Sequence, residues 1–540
     1  MTNEHDKKDS EQLPGSVTEF IGRLLRKMRY RRKVLEDVKA ELTSHFTDEL
    51  ADCTEEAQKT ERAKQLIADF GDPKLLGILM RRAKKRCRPL WQKAMVRSLQ
   101  VLGICILYLL VCSIPLLVGK PTLSVDYVEW LNELVRAGRE EAENARPYYE
   151  KACELNVEMP KWLADNMSSW PSDFNDAGSK LLTDWLDDSR GAVEKLREGA
   201  RCAGYWANYH TDETRLDKDL VGNAMKILPG YRRLAFTMRW QIRRQADDGN
   251  VEAAMSDAIA LSKFGSHLQA HGLLIEQLVG IAIEALAHGE IFSILERTAV
   301  HSHILNSTYQ QLEEQFGRQE AVISLEAEKV FWYDAIQRGF TDDGQGNGRL
   351  LARGLPFVVT ENLTDNLWNI VSFNFPDREE MVAEIERYYA EFDNVLSATP
   401  RQLHDKPADE RQTNHRVKIA PVLLKHNTPA YTRVSALTWR VKTDRQALLT
   451  VIAALRYEKA KGRYPADLNG LIEAGYLKTL PLDPYSNEPL VYRRTDDNFI
   501  LYSFGPNLKD DGGISGKGIS GKNKQWTDEG DTVFWPLPGH

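Results

Sequence analysis

His267 and His271 are four residues apart, as are Glu284 and His288, the separation that puts two side chains on one face of a helix. Imidazole nitrogens with a carboxylate are transition-metal ligands. Each pair offers two ligands at most, and the HExxH pattern of a zinc protease is absent. The same residues suit polar positions between packed helices, and that is our reading of them.

A second oxygen-rich stretch is Thr341-Asp342-Asp343-Gly344-Gln345-Gly346-Asn347-Gly348. Carboxylates and tight-turn glycines are what calcium loops use, but the acid due twelve positions from Asp343 is replaced by Gly354. No GK[ST] follows, so it is not a phosphate loop. It reads as a flexible turn. No GxSxG, Walker or CxxC signature occurs either, so motifs assign no catalytic residue and no enzyme is expected. His45 stands alone among acids and reads as structural rather than as a ligand or switch.

Of six cysteines, Cys105 and Cys112 fall in an apolar stretch. Cys153 and Cys202 are the two that could meet an oxidising compartment, either paired or as buried thiols.

The elements that would position these groups are helical. Phe20, Leu24, Leu25 and Met28, then Val34, Val38, Leu42 and Phe46, then Ala63, Leu66, Ile67 and Phe70 recur at three- and four-residue steps. Thr54 is expected as a helix N-cap, Gly71 as a helix end, and Asp72-Pro73 as the next start. Between 124 and 430 helices are expected to be divided by Pro147, Pro160, Pro171, Pro229, Pro356 and Pro376. Residues 232–270 read as two helices around Asp248-Gly249-Asn250, similar to one tetratricopeptide hairpin, with Ala235, Trp240, Ala254, Ala258 and Leu261 packed. The run from Gly272 to Ile283 resembles a prepilin leader, but Gln277, Glu284 and His288 break its apolar surface. It reads as a buried amphipathic helix.

From Leu99 to Gly119 the chain carries no charge, long enough to cross a hydrocarbon core of roughly 30 Å. Arg81, Arg82, Lys84, Lys85, Arg86, Arg88, Lys93 and Arg97 precede it, whereas Asp126, Glu129 and Glu133 follow. This one-sided block orients the N-terminus to the cytoplasm. Residues 1–98 carry 22 basic and 16 acidic side chains, a surplus of six; the whole chain stands at −7, so the remainder carries −13. An acidic bulk disfavours nucleic acid as a partner.

The resulting expectation is a mainly α bacterial inner-membrane protein with one spanning helix: a disordered 1–16, a cytoplasmic helical bundle at 17–90, the span at 99–119, a large extracytoplasmic helical domain at 124–430, and a small α+β domain at 431–540. Glu41-Leu42-x-x-His45-Phe46-x-x-Glu49 with Phe70-Gly71-Asp72-Pro73 resembles the HAAS or permease-prefix helical module, which implies protein contacts rather than chemistry.

At the far end, a helix over Thr432–Lys461 runs into Gly462-Arg463-Tyr464-Pro465, then Leu480-Pro481-x-Asp483-Pro484-Tyr485-x-Asn487, then strands near Leu490–Arg494 and Phe499–Phe504, turned by Asp496-Asp497-Asn498. With Tyr502, Ser503 and Gly505, this order resembles the globular part of the type II secretion major pseudopilin. In that family the following loop binds calcium. The resemblance therefore implies Ser503, Asn507, Asp510, Asp511, Asp528 and Asp531 as ligands, and calcium as the one cofactor. The family's leader helix does not adjoin the module here. The functional expectation is a non-enzymatic envelope scaffold that binds a protein partner outside, with homo-oligomer formation open. The alternatives are a transmembrane sensor and a hydrolase with a dispersed site.

Overall fold

A computed structural model describes residues 13–86, 90–167, 169–209, 220–318, 322–352, 376–406, 422–518 and 523–538. The chain is mainly α-helical and divides into two compact units, residues 1–111 and 112–540.

The first unit is built from α1 (Gly15–Met28), α2 (Arg32–Leu50), α3 (Glu56–Phe70) and α4 (Pro73–Arg86). Their apolar steps converge as the periodicity requires: Phe20, Leu24, Met28, Val38, Leu42, Phe46 and Ala63 are buried in one cluster. The first helix starts two residues before the expected boundary at 17. Gly71 takes φ +74, and Asp72 accepts from the Lys74 amide at 2.9 Å to open α4. The cap of α3 is Glu55 rather than Thr54, and its side chain closes no capping bond, because the chain enters the helix one residue later than the Thr-Glu-Glu pattern suggests. His45 rests edge-on against the Phe70 ring at 5.5 Å, a packing role.

Helix α5 (Leu90–Leu117) contains the uncharged stretch. Leu99, Val101, Leu102, Ile104, Leu107 and Leu110 are all more than half exposed, the reverse of what a helix in a protein core shows. Among the described residues one other helix, α13 (Leu274–Arg297), is long and apolar enough to cross a membrane, but two thirds of its most apolar window is buried.

The second unit contains α6 (Tyr127–Arg136), α7 (Arg146–Leu155), α8 (Lys161–Asp165), α9 (Asp176–Asp188), α10 (Arg190–Ala200), α11 (Leu220–Asp247), α12 (Val251–His267), α13, α14 (Ser302–Gly317), α15 (Glu326–Gly339), α16 (Arg378–Ser397), α17 (Pro400–Asp405), α18 (Val422–Lys461) and α19 (Asn469–Glu473). Pro147 opens α7 and Pro160 caps α8. Pro229 instead lies inside α11. The one lost backbone bond is outweighed there by burial of Tyr231, Leu234, Met238 and Trp240 along the same helix. Pro356 and Gly354 lie outside the described residues. Gly249 (φ +80) turns α11 into α12, and Ala235, Trp240, Ala254, Ala258 and Leu261 are buried. Between α12 and α13, Gly265 and Gly280 bring the two backbones so close that a Cβ on Gly265 would stand 2.7 Å from the Gly280 carbonyl oxygen.

The Thr341–Gly348 loop is tied down rather than flexible. Asp342 accepts from the Gly344 amide and from Arg378 (2.9 Å), and Asp343 accepts from the amides of Gln345 and Asn347. The same loop holds the exit of α5: Arg349 donates to the Val118 carbonyl at 3.0 Å, and a Cβ on Gly119 would meet Thr341 at 2.8 Å.

At the C-terminus α18 begins at Val422, ten residues before the expected Thr432, and ends at Lys461 before Gly462 (φ +71). Strands β1 (Leu482–Asp483) and β2 (Glu488–Pro489) pair antiparallel. So do β3 (Val491–Arg494), β4 (Phe499–Ser503) and β5 (Thr532–Trp535), in that order. The third strand, β5, lies beyond the hairpin read from the sequence. Leu448, Val451, Phe499, Leu501 and Phe534 belong to the same core cluster as Tyr149, Phe264 and Ile291, so α18 and its sheet share a core with the helical region.

Candidate binding cleft and its buried polar support

The face-sharing polar residues of α12 and α13 point inward. Glu284, fully buried, takes a bidentate ion pair from Arg445 of α18, Nε to Oε1 at 2.7 Å and Nη2 to Oε2 at 2.8 Å. Gln269 donates to Glu284 at 2.6 Å and accepts from Arg445 at 3.0 Å. His288 stands 3.5 Å from both Glu284 and Ser262, and Gln315 donates to Ser262 at 2.9 Å. Arg445 holds the Glu284 carboxyl down against burial, whereas burial lowers the His288 imidazole to about 4, so that it is neutral near pH 7. The Glu284–His288 pair therefore serves packing, whereas α12 ends at His267, so His271 stands in the following turn and the two share no helix face. His267 is separate, its Nδ1 2.7 Å from the Tyr149 hydroxyl, and burial, then Lys263 and Arg139, drive it to about 3.

Arg445 also forms part of the wall of a cleft of about 450 Å³ between α14, α18 and the strap 477–481. Its walls are Tyr309, Phe316, Trp439 and Leu449, with Lys442 and Lys478 as cations and Glu313 as the acid. Glu313 is answered by Lys478 at 3.1 Å. Lys442 sits 4.5 Å from the Trp439 ring centre, and burial followed by the Arg445 charge lowers its amine. The Trp439 indole is fixed by donating to the Ala398 carbonyl at 2.8 Å, and the strap by the Leu482 amide donating to Gln446. Aromatic faces with an ammonium, Lys442, that has no ion pair among the described residues suit an apolar body carrying an anionic end. Sequence reading missed this cleft, because its walls come from segments about 130 residues apart and no local motif marks it.

The acidic loop after β4 is held by its own bonds. Asp531 accepts from the amides of Asp511 (3.2 Å) and Gly513 (2.6 Å). Asp510 accepts from the Tyr502 hydroxyl and the Gly512 amide, both at 2.9 Å, and the Asn507 amide donates to Asp511 at 2.6 Å. Ser503, fully buried, donates to Asp483 at 2.6 Å, and Asp528 is exposed. Asn507, Asp510, Asp511 and Asp531 thus gather around one turn, while Ser503 is engaged with β1. Among the described residues no group of three or more His, Cys, Asp and Glu side chains is placed to hold a metal ion. Cys153 and Cys202 are free thiols, the former pushed up to about 12 by burial.

Searches against protein-family models, curated proteins and solved structures return no match to this chain.

Proposed function

We propose that the chain is a single-pass, membrane-anchored envelope scaffold that binds a protein partner through its 112–540 unit. The observation that carries this is α5, whose large apolar side chains are exposed along an uncharged stretch behind a dense basic block. The buried setting of the less apolar α13 supports one span rather than two. The N-terminal bundle then lies in the cytoplasm and the acidic bulk on the other side of an inner membrane. The partner meets the cleft lined by α14, Trp439 and Lys442, where both the helical region and the pseudopilin-like part contribute walls.

The clamp on the α5 exit, where Arg349 bonds Val118 and Thr341 packs on Gly119, favours a second reading, a sensor. In a sensor, a change in the 112–540 unit would reach the residues just past the span through this bond.

The test is protease accessibility in spheroplasts of cells carrying the full chain with tags at either end. The N-terminal tag is expected to survive and the C-terminal tag to be removed. Equal protection of both tags, or release of the chain from membranes by alkaline carbonate, overturns the proposal.

A further inference from the structure

A smaller pocket of about 160 Å³ lies on the other side of the Glu284–Arg445–Gln269 network, between the C-terminal ends of α12 and α14 and the segments at 139 and 203–205. Arg139, Lys263, Arg318, His267 and His271 line it, with Gln315, and among the described residues no carboxylate does. Three cationic side chains brought together repel one another, and folding has gathered them regardless.

The positions are fixed in advance. The Arg139 guanidinium donates to the carbonyls of Arg136 (3.0 Å) and Val135 (2.9 Å) and lies 5.0 Å from the Trp206 ring centre. Gly204 leaves room beneath it, since a Cβ there would stand 2.3 Å from Nη1 and push the guanidinium aside. His267 is oriented by Tyr149 on one side and by the Cys202 backbone on the other. The carboxylates that answer these cations, Glu314 on Arg318 and Glu143 beside Arg139, lie outside the lining. Burial, then Arg318, lowers the Lys263 amine against the charge of Glu314, and burial, then Arg139, lowers His271.

We infer that this pocket binds a phosphate-class oxyanion, with Arg139, Lys263 and Arg318 supplying charge and the His271 imidazole supplying a directed N–H donor. Its volume admits one such group but not a nucleotide. A tetrahedral dianion uses several converging donors, whereas a single carboxylate is satisfied by one forked guanidinium. The phosphate source is either free inorganic phosphate or a phosphomonoester lipid headgroup.

Calorimetric titration of the full chain with inorganic phosphate, in nanodiscs of phosphatidylcholine at constant ionic strength, tests this. Saturable one-site binding is expected. Lys263→Gln should weaken it at least tenfold and the exposed Arg318→Gln severalfold, while Arg190→Gln, an exposed residue outside the pocket, leaves it unchanged. In discs containing phosphatidic acid, loss of the titration identifies the headgroup as occupant, and an unchanged titration identifies free phosphate. Absence of saturable binding in the phosphatidylcholine discs, or equal binding by wild type and both pocket variants, overturns the inference.

Discussion

Arg445 closes Nε and Nη2 of its guanidinium on Glu284, at 2.7 and 2.8 Å, across 161 residues of sequence, with the Glu284 carboxylate fully buried. The pair joins the most apolar core helix to the helix that carries the C-terminal sheet. Buried ion pairs add little net stability over apolar replacements, but removing one partner strands the other charge. Arg445→Met is therefore expected to cost about 3–5 kcal/mol, and Glu284→Leu with Arg445→Met together less than the sum of the singles. A double-mutant cycle on the full chain in detergent, read by thermal unfolding, measures this, and strict additivity would refute it.

Gly265 and Gly280 set the separation of α12 and α13. A methyl on Gly265 would fall 2.6 Å from the Glu284 amide nitrogen, a backbone atom that cannot move aside. Gly265→Ala should destabilise by about 1–3 kcal/mol. Gly289, on the exposed side of α13, has nothing within 4 Å of its added Cβ. Gly289→Ala should stabilise by roughly 0.5–1 kcal/mol through helix propensity alone. Equal effects of the two substitutions on the unfolding midpoint would remove the close-approach explanation.

Much of this frame is legible in the sequence, because helix periodicity, glycine ends and an uncharged stretch are local signals. Ala235, Trp240 and Leu261 were placed by spacing and are buried. Pro229 misled because local chemistry forbids what packing of Tyr231 and Leu234 permits. The strand Thr532–Trp535 was missed because its partner, β4, lies across an acidic loop of almost 30 residues. The cleft at Lys442 and the cationic pocket at Lys263 are products of tertiary assembly, and neither leaves a periodic trace.

Asp444 gives a pH dependence of known sign. Burial raises its carboxyl to about 7; Glu284 adds to the rise, while Trp526 and Arg440 oppose it. Between about pH 4 and 7 the folded chain keeps a proton that the unfolded chain has released, so this group destabilises increasingly as pH rises, by up to about 1.4 kcal/mol per pH unit. Asp444→Asn should match wild type near pH 4 and gain an advantage that grows up to pH 7 and then levels. A constant difference in unfolding midpoint across that range would dismiss the assignment.

His267 and His288 act with the opposite sign. Their folded values, about 3 and about 4, lie below the ordinary imidazole value, so their contribution is complete above about pH 6.5 and is lost as pH falls. Acid unfolding should therefore steepen below pH 6.5, and His288→Gln should flatten it in the same midpoint-against-pH profile. An unaltered slope would show that the imidazole is protonated in the folded chain.

The acidic turn tests the pseudopilin resemblance. Asp531 is pushed up first by burial and then, against the amides of Gly513 and Asp511, by the charges of Asp511 and Asp510. A divalent cation at that turn would relieve this repulsion, and binding to the folded state alone would stabilise it by about 2.7 kcal/mol at a hundredfold excess over Kd. Millimolar calcium should then raise the unfolding midpoint of the full chain above its value in chelator, and Asp511→Asn should abolish the difference. If calcium and chelator give the same midpoint, the hydrogen bonds from Tyr502, Gly512 and Gly513 suffice to hold the turn, and it acts as a solvated cap on the sheet.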